Sequence, residues 1–124
     1  MDNLNEMFQG YATCALWSST DETTEQGGNP LDDNFSIDDL SGDCQEIMMK
    51  DCQYFLEIAG YQGISLAGLN FNQIGHDLWL TRNGHGTGFW DGDYDDDLGE
   101  KLTKISKDMG ECNLFVCDDM IEVY

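Results

Sequence analysis

Asp91, Asp93 and Asp95 fall at alternate positions in the run DGDYDDDLGE, residues 91–100. That is the spacing of the first three ligands of a calcium loop, where hard oxygen donors surround a divalent cation. The match then fails. Asp96 stands where the loop needs its turn glycine, and Leu102 where it needs a bidentate glutamate. The three aspartates are therefore candidates for weak divalent-cation binding, and no cofactor is expected beyond that. A second constellation is His76, Asp77, Arg82 and His85. If the histidines approach Asp91 or Asp93, imidazole and carboxylate groups meet in a metal or acid–base site. A small cation-binding protein or enzyme using His76, His85, Asp91 and Asp93 is thus one reading. The alternative is structural: His76 starts a strand, His85 sits in a turn, and Arg82 anchors an internal salt bridge in an acidic field. The chain contains no Ser–His–Asp pattern, P-loop, dinucleotide fingerprint or H-E-x-x-H motif. No catalytic residue is assigned, and a non-enzymatic protein is expected.

The remaining candidate is charge. Twenty-five carboxylates against five basic side chains give a formal charge of −20 over 124 residues. The first base is Lys50, preceded by eleven acids. Self-repulsion of this size opposes a compact fold, so a basic partner, bound cations or a salty milieu should make it useful. Duplex DNA carries one charge per about 1.7 Å of axis, so about 35 Å of duplex carries about 20 phosphates. A domain of this length has a comparable long dimension, and a duplex-imitating surface is arithmetically open to it. A merely solvated acidic surface is the alternative.

Positioning these groups requires a fold, and the composition supports one. Hydrophobic residues make up 40% of the chain, with three Trp, five Tyr and six Phe, too rich for a disordered acidic tail. The length suits a single domain, residues 1–124, with one core. No apolar run is long enough to span a membrane. The acidic N-terminus lacks the basic region of a secretory leader, so an intracellular protein is expected. Five cysteines without C-x-x-C spacing read as reduced, mostly buried thiols.

Leu4, Met7, Phe8, Tyr11, Cys14 and Ala15 recur at helical spacing and predict a first helix over about 3–17, with Gly10 its weak point. Residues 18–35 have turn composition and form a long acidic loop. Ser36-x-x-Asp39 resembles a capping box. The apolar stripe Ile37, Leu40, Cys44, Ile47, Met48, Phe55 and Ile58 predicts a second helix to about 59, breakable at Ser41-Gly42. Residues 64–74 suit a short helix or a strand. Residues 76–91 read as a hairpin, because Asn83-Gly84 suits a type I′ turn. In that register Trp79 faces Gly88 and Leu78 faces Phe89, and Trp79, Arg82, Asn83, Gly84, Phe89 and Trp90 form a rigid platform. A third helix over 95–109 has acids in its first turns and lysines later, which complements its dipole. A second hairpin, about 112–124, turns at Asp118-Asp119. The expected fold is α+β: three helices with a small three- to four-stranded antiparallel sheet.

The run GHDLWLTRNGHGTGFWD, residues 75–91, resembles a segment shared by small acidic proteins of bacteriophages and prophages. The likeness extends to residues 15–22, 30–41 and 113–119. It implies a phage origin and expression in the cytoplasm of an infected bacterium, and it brings no catalytic residue with it. Together with the charge, it leads to an expected accessory protein that binds a basic, nucleic-acid-binding host or phage protein, as a DNA mimic or anti-defence inhibitor. It would bind neither nucleic acid nor membrane directly. The contacts would come from Asp21, Glu22, Glu25, Asp32, Asp33, Asp38, Asp39, Asp43, Asp91, Asp93, Asp95, Asp96 and Asp97. A virion or assembly component whose acidity keeps it soluble is a further alternative.

Overall fold

The computed structural model of the chain describes residues 3–21, 29–84, 88–89 and 94–123. Glu22, Glu25, His85, Trp90, Asp91 and Asp93 lie outside these residues, as does the side chain of Asp21. The fold is α+β and mostly helical, with four helices and short antiparallel ladders among the described residues. Helix α1, Asn3–Ser18, buries Met7, Phe8, Tyr11, Cys14 and Ala15, the stripe that its spacing predicts. Strands β1, Thr20–Asp21, and β2, Asn29–Pro30, pair antiparallel within the stretch 18–35 that its composition assigns to a loop. Two single turns of 3-10 helix follow, Leu31–Asp33 and Ile37–Asp39. The Ser36 N–H donates to Asp39 Oδ2 at 2.8 Å, the reciprocal half of the expected capping box.

The predicted break at Ser41-Gly42 is present. Helix α2, Gly42–Tyr61, restarts there because Ser41 Oγ accepts the Cys44 N–H at 3.0 Å. Its outer face departs from the predicted stripe, since Ile47 is exposed. Helix α4, Asp96–Asp108, keeps the predicted polarity of acids first and lysines later. Strands β3, Leu114–Cys117, and β4, Met120–Val123, form the C-terminal hairpin. Asp118 and Asp119 both take positive φ, 52° and 62°, as a two-residue type I′ connection requires.

The first strand of the hairpin predicted at 76–91 is helix instead. Residues Phe71–Arg82 are helix α3, and Asn70 caps it by accepting the Gln73 N–H at 3.1 Å. Every residue from Asp77 to Arg82 is buried, with Ile74 and Gly75 before them, so this short helix is enclosed nearly all round and leaves no amphipathic period in the sequence to read. Asn83-Gly84 is instead the stop of this helix. The Asn83 N–H still bonds to Trp79 O at 3.3 Å, and Gly84 turns away at φ +69°. A left-handed glycine after asparagine serves a helix stop as well as a hairpin, so the dipeptide marks a reversal without naming the element before it. The expected three- to four-stranded sheet is accordingly replaced by two ladders of two strands. Trp79 does not face Gly88. It is buried edge-on against Tyr11, with ring centres 5.4 Å apart at 81°. Phe89 is buried, stacked on Phe55 at 5.6 Å, and its N–H donates to Thr81 Oγ1 at 3.2 Å.

The core lies where α1 crosses α3, with α2 and α4 packed around them. Four cysteines belong to it and Cys117 is exposed; all five are free thiols. Burial pushes the Cys14 and Cys44 thiols up to about 12, and raises Cys52 and Cys112 as well. A thiol at that value holds roughly a thousandfold less reactive thiolate than an ordinary one at neutral pH. Iodoacetamide is therefore expected to label Cys117 alone in the folded protein and all five cysteines in denaturant, as mass spectrometry of intact protein would show.

Candidate functional site

Arg82, near the end of α3, is 8% exposed and uses its guanidinium to join four segments. One terminal nitrogen donates to Tyr11 Oη at 2.9 Å and to Asp51 Oδ2 at 3.0 Å. Nε donates to the Gly110 carbonyl at 2.7 Å, and the other terminal nitrogen to that of Met109 at 3.0 Å. The last two bonds satisfy carbonyls at the end of α4, groups a helix leaves unpaired. The Tyr11 hydroxyl in turn donates to Asp51 Oδ2 at 3.1 Å and lies 3.8 Å from Cys112 Sγ. Burial raises the Asp51 carboxyl above its ordinary value, against the opposing pull of Arg82 and Tyr11. Asn83 completes the join, accepting the Cys112 N–H at 2.9 Å. Arg82 is thus the internal anchor that its place in an acidic field suggests. Its planar fork is engaged with protein groups on both sides.

His76 and Asp77 are adjacent on α3 and face different surroundings. Asp77 is buried; its Oδ1 accepts from Gln73 Nε2 at 3.1 Å and its Oδ2 from the Tyr94 hydroxyl at 2.9 Å. His76 Nδ1 lies 3.9 Å from Asp77 Oδ1, beyond hydrogen-bond reach, and the ring stacks on the exposed Trp17 at 6.2 Å. The rest of the proposed cation set, His85, Asp91 and Asp93, lies outside the described residues. Asp95, the described member, is exposed. Among the described residues, no three His, Cys, Asp or Glu side chains come together as metal ligands.

The acidic candidates fall on two described surfaces. The first is the ribbon 31–43. Leu31 and Leu40 are fully buried and pin it at both ends, while Asp32, Asp33, Asp38 and Asp43 point to solvent and Asp39 is half-buried in its cap. The end of the ribbon meets β4, through a parallel bridge from Leu40 to Ile121 and a 2.9 Å bond from the Ser41 N–H to Ile121 O. Ser41 Oγ also bonds to Glu122. This brings the exposed turn Asp118-Asp119 onto the same edge as Asp38 and Asp39. Neither 31–49 nor 108–124 contains a Lys or Arg. The edge is thus acidic without a neutralising partner in its own chain segments. The second surface is the start of α4, where Asp95, Asp96 and Asp97 are exposed. Asp95 and Asp96 border an open cleft of about 430 Å³ that Phe89, Tyr94, Gly99 and Thr103 also line.

Comparison with family models, with curated proteins and with solved structures finds no match. The structure separates the sequence candidates into two groups. Trp79, Arg82, Asn83, Gly84 and Phe89 belong to the interior and to the end of α3, not to an exposed hairpin platform. The ribbon acids do lie on the surface together, joined by Asp118 and Asp119, which the sequence reading treats only as a turn. Tyr11 and Asp51 were missed as partners of Arg82. The only sequence signal for them is that a lone buried arginine needs an anion, and that does not say which.

Proposed function

We propose that the chain is a non-enzymatic accessory protein of a bacteriophage or prophage that binds a basic, nucleic-acid-binding host protein. The observation that carries this reading is the acidic edge formed by 31–43 and the 118–119 turn, held rigid by buried leucines and lacking bases. Three of the five bases pair within the chain, Arg82 in the interior and two lysines on the surface of their own helices. Arg82 is committed to Asp51, Lys50 to Glu46 at 3.0 Å and Lys101 to Asp97 at 3.2 Å. The carboxylates of the edge are left to a partner. An anionic edge on a fixed backbone steers a cationic partner and occupies the surface that would otherwise take phosphates. The phage-like segment at 75–91 supports the setting.

The test is affinity capture from bacterial lysate, comparing the wild type with a variant carrying Asp32, Asp33, Asp38 and Asp43→Asn. The wild type should capture a basic nucleic-acid-binding protein at low salt and release it as salt rises or when duplex DNA competes. The neutralised variant should lose it. Capture that survives neutralisation, or a captured set without basic proteins, would overturn the reading.

A further inference from the structure

Helix α1 and the ribbon 31–38 do not close fully on one another. An open groove of about 440 Å³ lies between them. Its apolar lining is Leu16 from α1 and Phe35 and Ile37 from the ribbon. Leu16 is buried, whereas Phe35 and Ile37 are half-buried, packed on the core and bordering the groove. The exposed carboxylates of Asp32 and Asp38 line the same groove, and Thr13 stands exposed on its α1 side. The groove is built before anything enters it. The Leu31 N–H bonds to Ser19 O at 2.9 Å, the Phe35 N–H to Leu31 O at 2.9 Å and the Leu40 N–H to Ile37 O at 3.1 Å. Buried Leu31 and Leu40 hold the two ends of the ribbon. A backbone fixed in advance spares the ordering cost of binding.

Charge decides what can occupy it. Every residue lining the groove lies between positions 9 and 38, and the first 49 residues hold no Lys or Arg. Nucleic acid, an anionic membrane and a second copy of this −20 chain all bring like charge to Asp32 and Asp38. A bare cation pairs with the carboxylates and leaves Leu16, Phe35 and Ile37 wet. A purely apolar group covers those three side chains and strips water from carboxylates that it cannot pair. A segment that carries both characters meets both needs. We infer that the groove receives one large apolar side chain, such as Leu or Phe, from a basic partner protein, with flanking Lys or Arg on Asp32 and Asp38. The inference rests on the proposed function for the class of partner, and it names the chemistry which that partner presents. It also adds a component that charge alone lacks. Screening weakens the ion pairs, whereas salt does not weaken apolar burial.

Labelled oligolysine peptides with a central Leu, Phe or Gly are the probes, titrated against the full chain by fluorescence anisotropy at 50 mM and 300 mM NaCl. The peptides carry equal charge, so the ratio of their affinities reads the groove. The wild type should bind the Leu or Phe peptide about tenfold more tightly than the Gly peptide. That ratio should persist at 300 mM NaCl while all the affinities fall. Thr13→Trp fills the groove from an exposed position without changing charge. It should bring the ratio to about one and leave Gly-peptide binding as it is. Asp32→Asn with Asp38→Asn should weaken all three peptides at low salt. Amide chemical shifts in the wild type give a measurement that needs no variant, and the Leu peptide should move those of Thr13, Leu16, Phe35 and Ile37. Equal affinity for the three peptides overturns the inference. So does a ratio that survives Thr13→Trp, or a set of shifts centred elsewhere. Capture from lysate keeps the two readings apart. A basic protein held equally by wild type and Thr13→Trp at 300 mM NaCl leaves the proposed function standing and removes the groove. A Leu preference lodged in the groove, with no basic protein captured even at low salt, does the reverse.

Discussion

Gly75→Ala is expected to unfold the domain or to cost it at least about 3 kcal/mol, and Gly10→Ala should do the same from the other side of one helix crossing. A methyl at Gly75 would lie 1.9 Å from the Met7 carbonyl oxygen and 2.8 Å from the Tyr11 nitrogen. A methyl at Gly10 would lie 1.9 Å from the Asn72 carbonyl oxygen. Real contacts of this kind are more than 1 Å longer, and the obstacle is backbone in both cases. No rotamer change relieves it; α1 and α3 would have to separate by more than an ångström. That separation opens the packing of Trp79 on Tyr11 and loosens the whole core about this crossing. The loss is a large fraction of the 5–15 kcal/mol typical of a domain. Urea denaturation at neutral pH measures it. Gly42→Ala and Gly60→Ala are the controls. Both sit in α2 with negative φ and nothing within 4 Å of an added methyl, so each should be neutral or stabilising by up to about 1 kcal/mol. If Gly75→Ala behaves like these controls, the close crossing is wrong.

The same glycines show what the sequence reading could and could not deliver. By helix propensity Gly10 is a weak point within α1, yet the helix runs through it unbroken. Its reason is tertiary, because Gly10 admits the backbone of α3, and no local rule names α3 as the neighbour. Where one local signal sufficed, the expectation holds. The α1 stripe, the Ser36–Asp39 box, the break at Ser41, the acid-first polarity of α4 and the Asp118-Asp119 turn are all present. Where one signal served two elements, it fails. Asn83-Gly84 fits a hairpin and a helix stop equally, and with it went the assignment of α3 and the platform built on it. The acidic edge was half legible. The ribbon acids are adjacent in sequence, whereas Asp118 and Asp119 reach them only through the bridge between Leu40 and Ile121.

Arg82→Met should destabilise the protein by about 2–4 kcal/mol at pH 7, the cost of leaving a half-buried carboxylate and its neighbours unpaired. Methionine fills much of the arginine stem's volume, so lost packing is the smaller part. Asp51 loses its counter-charge, and the carbonyls of Met109 and Gly110 lose their donors. The pH dependence separates these causes. In the wild type Asp51 already titrates above the ordinary carboxylate value, because burial outweighs Arg82 and Tyr11. The folded state then holds its proton to higher pH than the unfolded chain does. Stability from this group is therefore greatest at low pH and is lost as pH rises through the folded value. Without Arg82 the folded value climbs further, and the window of loss extends upward. Denaturation of Arg82→Met should consequently recover part of its deficit as pH falls from 7, because protonating Asp51 removes the unpaired charge. Arg82→Met combined with Asp51→Asn should recover a similar part at pH 7 and lose that pH dependence. A single variant whose deficit is the same at pH 5 and pH 7 would assign the cost to the α4 carbonyls instead. A deficit below about 1 kcal/mol would remove Arg82 as the anchor of the fold.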